Sequence, residues 1–163
     1  MTKRLFVVVA VLGLTSVFVF AQSKPSIQGV WRAQEMVWAG GTNPATAKNP
    51  QPYFRIYTAK HFSLVGVMSG EARRMLQPPK SPPNLTDAEK VARYEHWLPF
   101  HGQAGTYEIK GNQIVHRWLV GKGEADTQRL QTHDFKLDGN TLWLFNREGG
   151  SGAEFNVRFT RLE

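Results

Sequence analysis

Cysteine is absent from all 163 residues, which excludes a disulfide framework, a thiol nucleophile and a lipid-modified cysteine behind an export signal. A G-x-S-x-G nucleophile turn is missing too, and Gly150-Ser151-Gly152 reads as a loop. No histidines stand at H-x-H or H-E-x-x-H spacing and no glycine-rich phosphate cradle occurs, so neither a metal nor a cofactor is expected. The charge balance is only modestly basic. The formal +7 falls to +5 if Lys3 and Arg4 are removed with the N-terminus, and the basic residues are scattered among carboxylates, with Arg73-Arg74 the densest spot. A nucleic-acid partner is therefore not expected, whereas anionic envelope surfaces and acidic small molecules are compatible.

What is present begins with a leader. Lys3 and Arg4 precede an uncharged stretch from Leu5 to Phe20, and Val19-Phe20-Ala21 offers side chains that suit a signal peptidase. Residues 1–21 are expected to be a secretory signal peptide cleaved after Ala21, and residues 22–163 one barrel domain without stable membrane insertion. An uncleaved N-terminal anchor is the alternative. Export without disulfides suits a bacterial periplasm better than a eukaryotic secretory route, so the expected location is secreted or periplasmic.

The mature part alternates with a period of two in eight segments. These run from Ile27 to Trp38, Tyr53 to Thr58, His61 to Met68, Gly105 to Lys110, Gln113 to Val120, Thr127 to Leu137, Thr141 to Arg147 and Ala153 to Arg161. The Gly-, Pro- and Asn-rich stretch from Ala39 to Gln51 reads as a loop. After the proline-rich residues 69–83, Thr86-Asp87-Ala88-Glu89 is a capping-box pattern that opens a helix to about Leu98. The expected fold is all-β: an eight-stranded up-and-down antiparallel barrel with one helix inserted between strands three and four. Alternate connections are tight turns, including Gly111-Asn112 and Asp138-Gly139-Asn140, and the others are long. One end is thus pinched shut and the other is a mouth framed by longer connections.

Turn geometry also predicts which side chains face inward. Ile109, Tyr107 and Gly105 fall opposite Ile114, His116 and Trp118, and Arg117 points out. On the next hairpin Leu137, Phe135, His133, Gln131 and Arg129 share a face with Leu142, Leu144 and Asn146, which leaves Trp143 and Phe145 outside. Continued alternation from Trp31 puts Glu35 inside, while Tyr53, Arg55, Tyr57 and Phe54, Ile56 make equally plausible inner faces. The lumen is then floored by Trp31, Ile109, Ile114, Leu137, Leu142 and Phe159. Glu35, Tyr107, His116 and His133 form a middle band, with Trp118, Arg129, Gln131, Asn146 and Phe155 nearer the mouth.

Gly29-Val30-Trp31 followed by a late Arg161 is similar to the G-x-W signature and tryptophan-stacking arginine of lipocalins. Together with Lys60-His61-Phe62-Ser63, Thr86-Asp87-Ala88-Glu89-Lys90, Ala104 to Ile109 and Leu137 to Leu144, it resembles the bacterial lipocalin-like domain family. That resemblance implies a barrel with an internal cavity and a small-molecule ligand, but no shared reaction. The chain departs from lipocalins proper in the place of its helix and in having no helix after Arg161.

The residues expected to touch a small apolar or amphipathic ligand are Tyr107, His116, Trp118, Arg129, His133 and Phe155. Two other functions fit the same barrel. An isomerase or cyclase would use Glu35, His116 and His133 as acid-base groups, and an envelope interaction protein would have its barrel filled solid. The oligomeric state is left open by the sequence.

Overall fold

The computed structural model describes residues 26–40, 44–73, 75–80, 84–123, 128–147 and 154–163. The segment read as a signal peptide, residues 1–21, lies outside the described residues. Nine strands and one helix follow in the order β1 (Gly29–Ala39), β2 (Ala45–Lys48), β3 (Tyr53–Tyr57), β4 (His61–Val67), α1 (Asp87–Trp97), β5 (Phe100–Lys110), β6 (Gln113–Gly121), β7 (Leu130–Asp138), β8 (Thr141–Arg147) and β9 (Glu154–Arg161). All pairings are antiparallel between consecutive strands from β3 to β9, and β1 joins both β3 and β9, so eight strands close into a barrel.

The additional strand is β2, a four-residue segment inside the stretch expected to be a loop. It pairs with Glu35 to Trp38, while the lower half of β1, Gly29 to Arg32, pairs with β3. One edge of β1 is thus divided between two partners. Because β2 precedes it, the helix lies after the fourth strand and not between strands three and four as expected. Its capping box is as the pattern predicted: Thr86 accepts from the Glu89 backbone, and the Glu89 carboxylate accepts from the Thr86 backbone N–H.

The closed end is built on tight turns. Gly111 and Gly139 take φ values of +62° and +53° in the β5–β6 and β7–β8 turns, a left-handed conformation that glycine adopts without penalty. Trp31 pairs with Arg161 across the β1–β9 seam, and the Arg161 guanidinium lies 4.2 Å from the indole centroid. The same guanidinium donates to the carbonyls of Gln28 and of Ser26, the latter at 2.6 Å, while Trp31 Nε1 donates to Ile27 at 2.7 Å. The base is therefore a plug of one cation on one aromatic face, tied to the incoming chain. Gly29 is required there, since its φ is +134° and a Cβ would collide with the Glu163 carbonyl.

Two irregularities set the inner face. The β1–β9 register slips between Ala33 and Glu35, so Gln34 is an extra residue whose carbonyl accepts from Asn49 N–H at 2.8 Å. Above this bulge Met36 and Trp38 point inward and Glu35 outward. A second slip on β5–β6 leaves Leu119 as an extra residue beside Gly105, where a Cβ would overlap the Arg117 carbonyl. Elsewhere the inward residues are those expected on β6 to β9, with Ile114, Leu142, Leu144, Val157 and Phe159 buried.

Ile109 is the exception on the floor, at 49% exposure. It extends past the first residue of β4, which begins at His61 opposite Thr106, so β6 flanks it on one side and no residue of β4 on the other. Trp143 and Phe145 face outward as predicted, in a shallow groove with Val37, Glu35 and Arg158, where Lys136 Nζ stands 5.0 Å from the Trp143 ring centre.

Arg161→Ala removes both the cation over Trp31 and two donors to the incoming chain. It should lower unfolding free energy by about 2 kcal/mol and shift tryptophan emission to longer wavelength. Unchanged melting and emission would contradict the plug.

Candidate functional site

The facing of β3, which its own alternation left undecided, determines the polar interior. Tyr53, Arg55 and Tyr57 point into the barrel and are all buried, while Phe54 and Ile56 do not. Arg55 and Tyr57 reach across the lumen to His116 on β6, three strands away in the sheet. His133 on β7 completes the group with its Nδ1 3.2 Å from His116 Nδ1. Phe62 closes one side, its ring centre 4.5 Å from that of His116 in an edge-to-face contact.

Hydrogen-bond chemistry assigns the protons. A guanidinium donates and never accepts, so Tyr57 Oη at 3.2 Å and His116 Nε2 at 3.3 Å both accept from Arg55 Nη1. His116 Nε2 therefore carries no proton, and the 2.9 Å contact to Tyr57 is the phenol O–H donating to it. The His116 proton is left on Nδ1, facing His133 Nδ1, which accepts. His133 in turn carries its proton on Nε2. The result is a one-way chain of donors from Arg55 through Tyr57 and His116 to His133.

Every partner of Arg55 in this chain is neutral. Burial, reinforced by the charges of Arg55 and His133 and opposed by a bond to the Gln131 backbone, holds the His116 imidazole far below the usual histidine range. Burial and then Arg55 do the same to His133. Burial raises the Tyr57 phenol, with Arg55 pulling the other way, so it stays protonated at neutral pH. Among the described residues no carboxylate stands within ion-pair distance of Arg55, and its Nε has no hydrogen-bond partner. One uncompensated positive charge thus sits inside the barrel.

The residues expected at the site are distributed unevenly. His116 and His133 meet in the lumen, whereas Glu35 is carried outward by the Gln34 bulge and pairs with Arg158 at 3.3 Å on the outer surface. The acid-base set of Glu35 with the two histidines, and equally a metal site from those three, is not assembled. Tyr107 does not bond His116. Its hydroxyl donates to the Thr58 carbonyl at 2.7 Å near the closed end. Trp118 is buried beneath an exposed Arg129, whose guanidinium lies 5.3 Å from the indole centre. Phe155 packs against Trp38 at 5.3 Å between centroids, in the mouth half of the inner face.

Arg55 and Tyr57 are the members of this buried group that the alternation of β3 alone does not orient. The signal was one strand away: Phe62, Leu64 and Gly66 alternate with His61 and Ser63, and the tight turn between β3 and β4 sets Tyr57 opposite Phe62. Reading β4 first would have turned Tyr57 and Arg55 inward.

No protein-family model matches the sequence, and no curated protein does. Among solved structures the chain is similar to a lipocalin-like protein from Bacteroides uniformis ATCC 8492, at 12% identity over 83% of this chain and 97% of that one, with a TM-score of 0.46. It is also similar to an uncharacterized protein from Bacteroides eggerthii DSM 20697, at 12% identity over 82% and 98% of the two chains, with a TM-score of 0.43. No ligand or activity passes from either protein to this one.

The neutral histidines make stability depend on pH with a definite sign. Both imidazoles protonate near pH 6.5 in the unfolded chain and far lower in the barrel, so the unfolded state binds more protons below that point. Their contribution is complete above pH 6.5 and is lost as pH falls. Glu89, held down to about 2 by the Lys80 and Thr86 backbone amides, acts only in the separate window below its ordinary value. Replacing His133 with glutamine should therefore reduce the slope of unfolding free energy between pH 6 and 5 by about 1 kcal/mol per pH unit. Equal slopes in chemical denaturation series would contradict neutral burial.

Proposed function

We propose that this lipocalin-like barrel is an exported binder of a small apolar or amphipathic molecule, held in the mouth half of its lumen. The order of charge, apolar stretch and small residues in positions 1–21 supports export, to a secreted or periplasmic location. The observation that carries the binding reading is a set of partly buried aromatic and apolar side chains at the mouth, next to a buried polar group. Trp31, Ile114, Leu142 and Phe159, nearer the closed end, have no exposure at all. At the mouth Trp38, Met68 and Phe155 are only partly buried against the core, and Asn146 keeps 7%.

An apolar molecule fits that upper half, with its body on Trp38, Phe155 and Met68 and its polar end directed down toward His133, Asn146 and Arg55. The floor then serves as foundation and the ligand does not reach it. Of the expected contacts, Phe155 and His133 keep a direct role, and His116 acts through its neighbours. The enzymatic alternative is weakened, because Glu35 stands on the outer surface. A fully filled barrel with an envelope role is the reading that failure of binding would favour.

Titration with the neutral fluorescent probe N-phenyl-1-naphthylamine tests this. Trp38→Ala and Phe155→Ala should each weaken binding about tenfold, equivalent to 1.4 kcal/mol. Ile114→Val should lower stability by about 1 kcal/mol and leave affinity unchanged. Equal affinities for all four proteins, or no binding by wild type, would overturn the mouth-half site.

A further inference from the structure

We propose that the ligand is an organic monocarboxylate whose carboxyl group is the missing counter-ion of Arg55, an inference that rests on the lumen-binding reading above. Arg55 is the one charged side chain among the buried described residues apart from the two neutral histidines. Its Nη1 is engaged by Tyr57 and His116, but its Nε proton is buried and has no acceptor. A buried cation is tolerated at high cost unless an anion and hydrogen bonds complete it. The described residues supply hydrogen bonds elsewhere on the guanidinium but no anion and no acceptor for Nε, whereas a carboxylate supplies both: one negative charge, and an oxygen for the Nε–H.

Direction follows from the packing. Trp31, the cross-strand neighbour of Arg55, has no exposure, and neither has His116. The other cross-strand neighbour of Arg55, Leu64, keeps 2%, so the proposed carboxylate comes from the mouth side, where Asn146 and the partly buried Trp38–Phe155 pair stand. The ligand enters head first, with its carboxylate on Arg55 and its apolar part along the aromatic pair. Charge selects the class further. With Tyr57 a neutral phenol and both histidines neutral, the site holds a single positive charge, which one carboxylate balances. A phosphate monoester, close to doubly charged at neutral pH, would bury an excess negative charge.

Isothermal titration at pH 8 of the full mature chain with octanoate, 1-octanol, octylamine and octyl phosphate distinguishes head groups on one tail. Octanoate should bind at least tenfold more tightly than each of the other three. In Arg55→Met the preference of octanoate over 1-octanol should vanish while 1-octanol affinity holds, and in Arg55→Lys part of the preference should survive. Should the methionine variant not fold, the wild-type comparison stands alone. It is joined by octanoate labelled with 13C at the carboxyl, whose bound form should stay ionised to lower pH than the free acid. Equal binding of octanoate and 1-octanol by wild type, or equal binding of octyl phosphate, would overturn the carboxylate and leave the lumen reading standing. Binding of none of the four would overturn both.

Discussion

A guanidinium inside a barrel, surrounded by neutral groups, is the constraint from which most of the interior follows. Arg55 cannot lose its proton at any relevant pH, so the groups around it must adapt. Tyr57 and His116 do so by turning lone pairs toward Nη1, which in turn fixes the tautomer of His116 and then of His133. Burial and the adjacent cation both favour neutral imidazoles. A network of this kind favours one arrangement of side chains, since its members share donors and acceptors across the lumen.

The barrel that holds this network depends on two local departures from regular pairing. The Gln34 bulge rotates the upper half of β1, bringing Met36 and Trp38 inside and sending Glu35 out to Arg158. Had the alternation continued unbroken, a carboxylate would share the lumen with Arg55 and the positive charge would be answered from within. The bulge therefore decides the electrostatics of the lumen as well as its shape. At the other end the Trp31–Arg161 contact closes the base of the barrel beside the tight turns.

Much of this was legible in the sequence, and the omissions have physical causes. Hairpin turns with glycine at Gly111 and Gly139 transmit register rigidly, so the inward faces of β6 to β9 and the meeting of His116 with His133 follow from turn chemistry. The capping box at Thr86 and the pairing of Trp31 with Arg161 are likewise local or end-point signals. A bulge has no such mark: Gln34 looks like any strand residue, and its extra place is stabilised by Asn49, whose position depends on β2. Strand β2 itself is four small or flexible residues that pair because β1 offers them an edge. Arg55 was missed because a strand of alternating tyrosines and arginine against phenylalanine and isoleucine has no apolar face to choose, and only the partner strand decides.

The assignment of protons around Arg55 underlies the neutral interior, and it is directly observable. Long-range 15N–1H correlation spectra of histidine side chains distinguish the two neutral tautomers from imidazolium. At pH 7 His116 should appear as the Nδ1–H tautomer with an unprotonated Nε2, and it should not titrate down to pH 5. An Nε2–H tautomer, or an imidazolium at pH 7, would contradict the account.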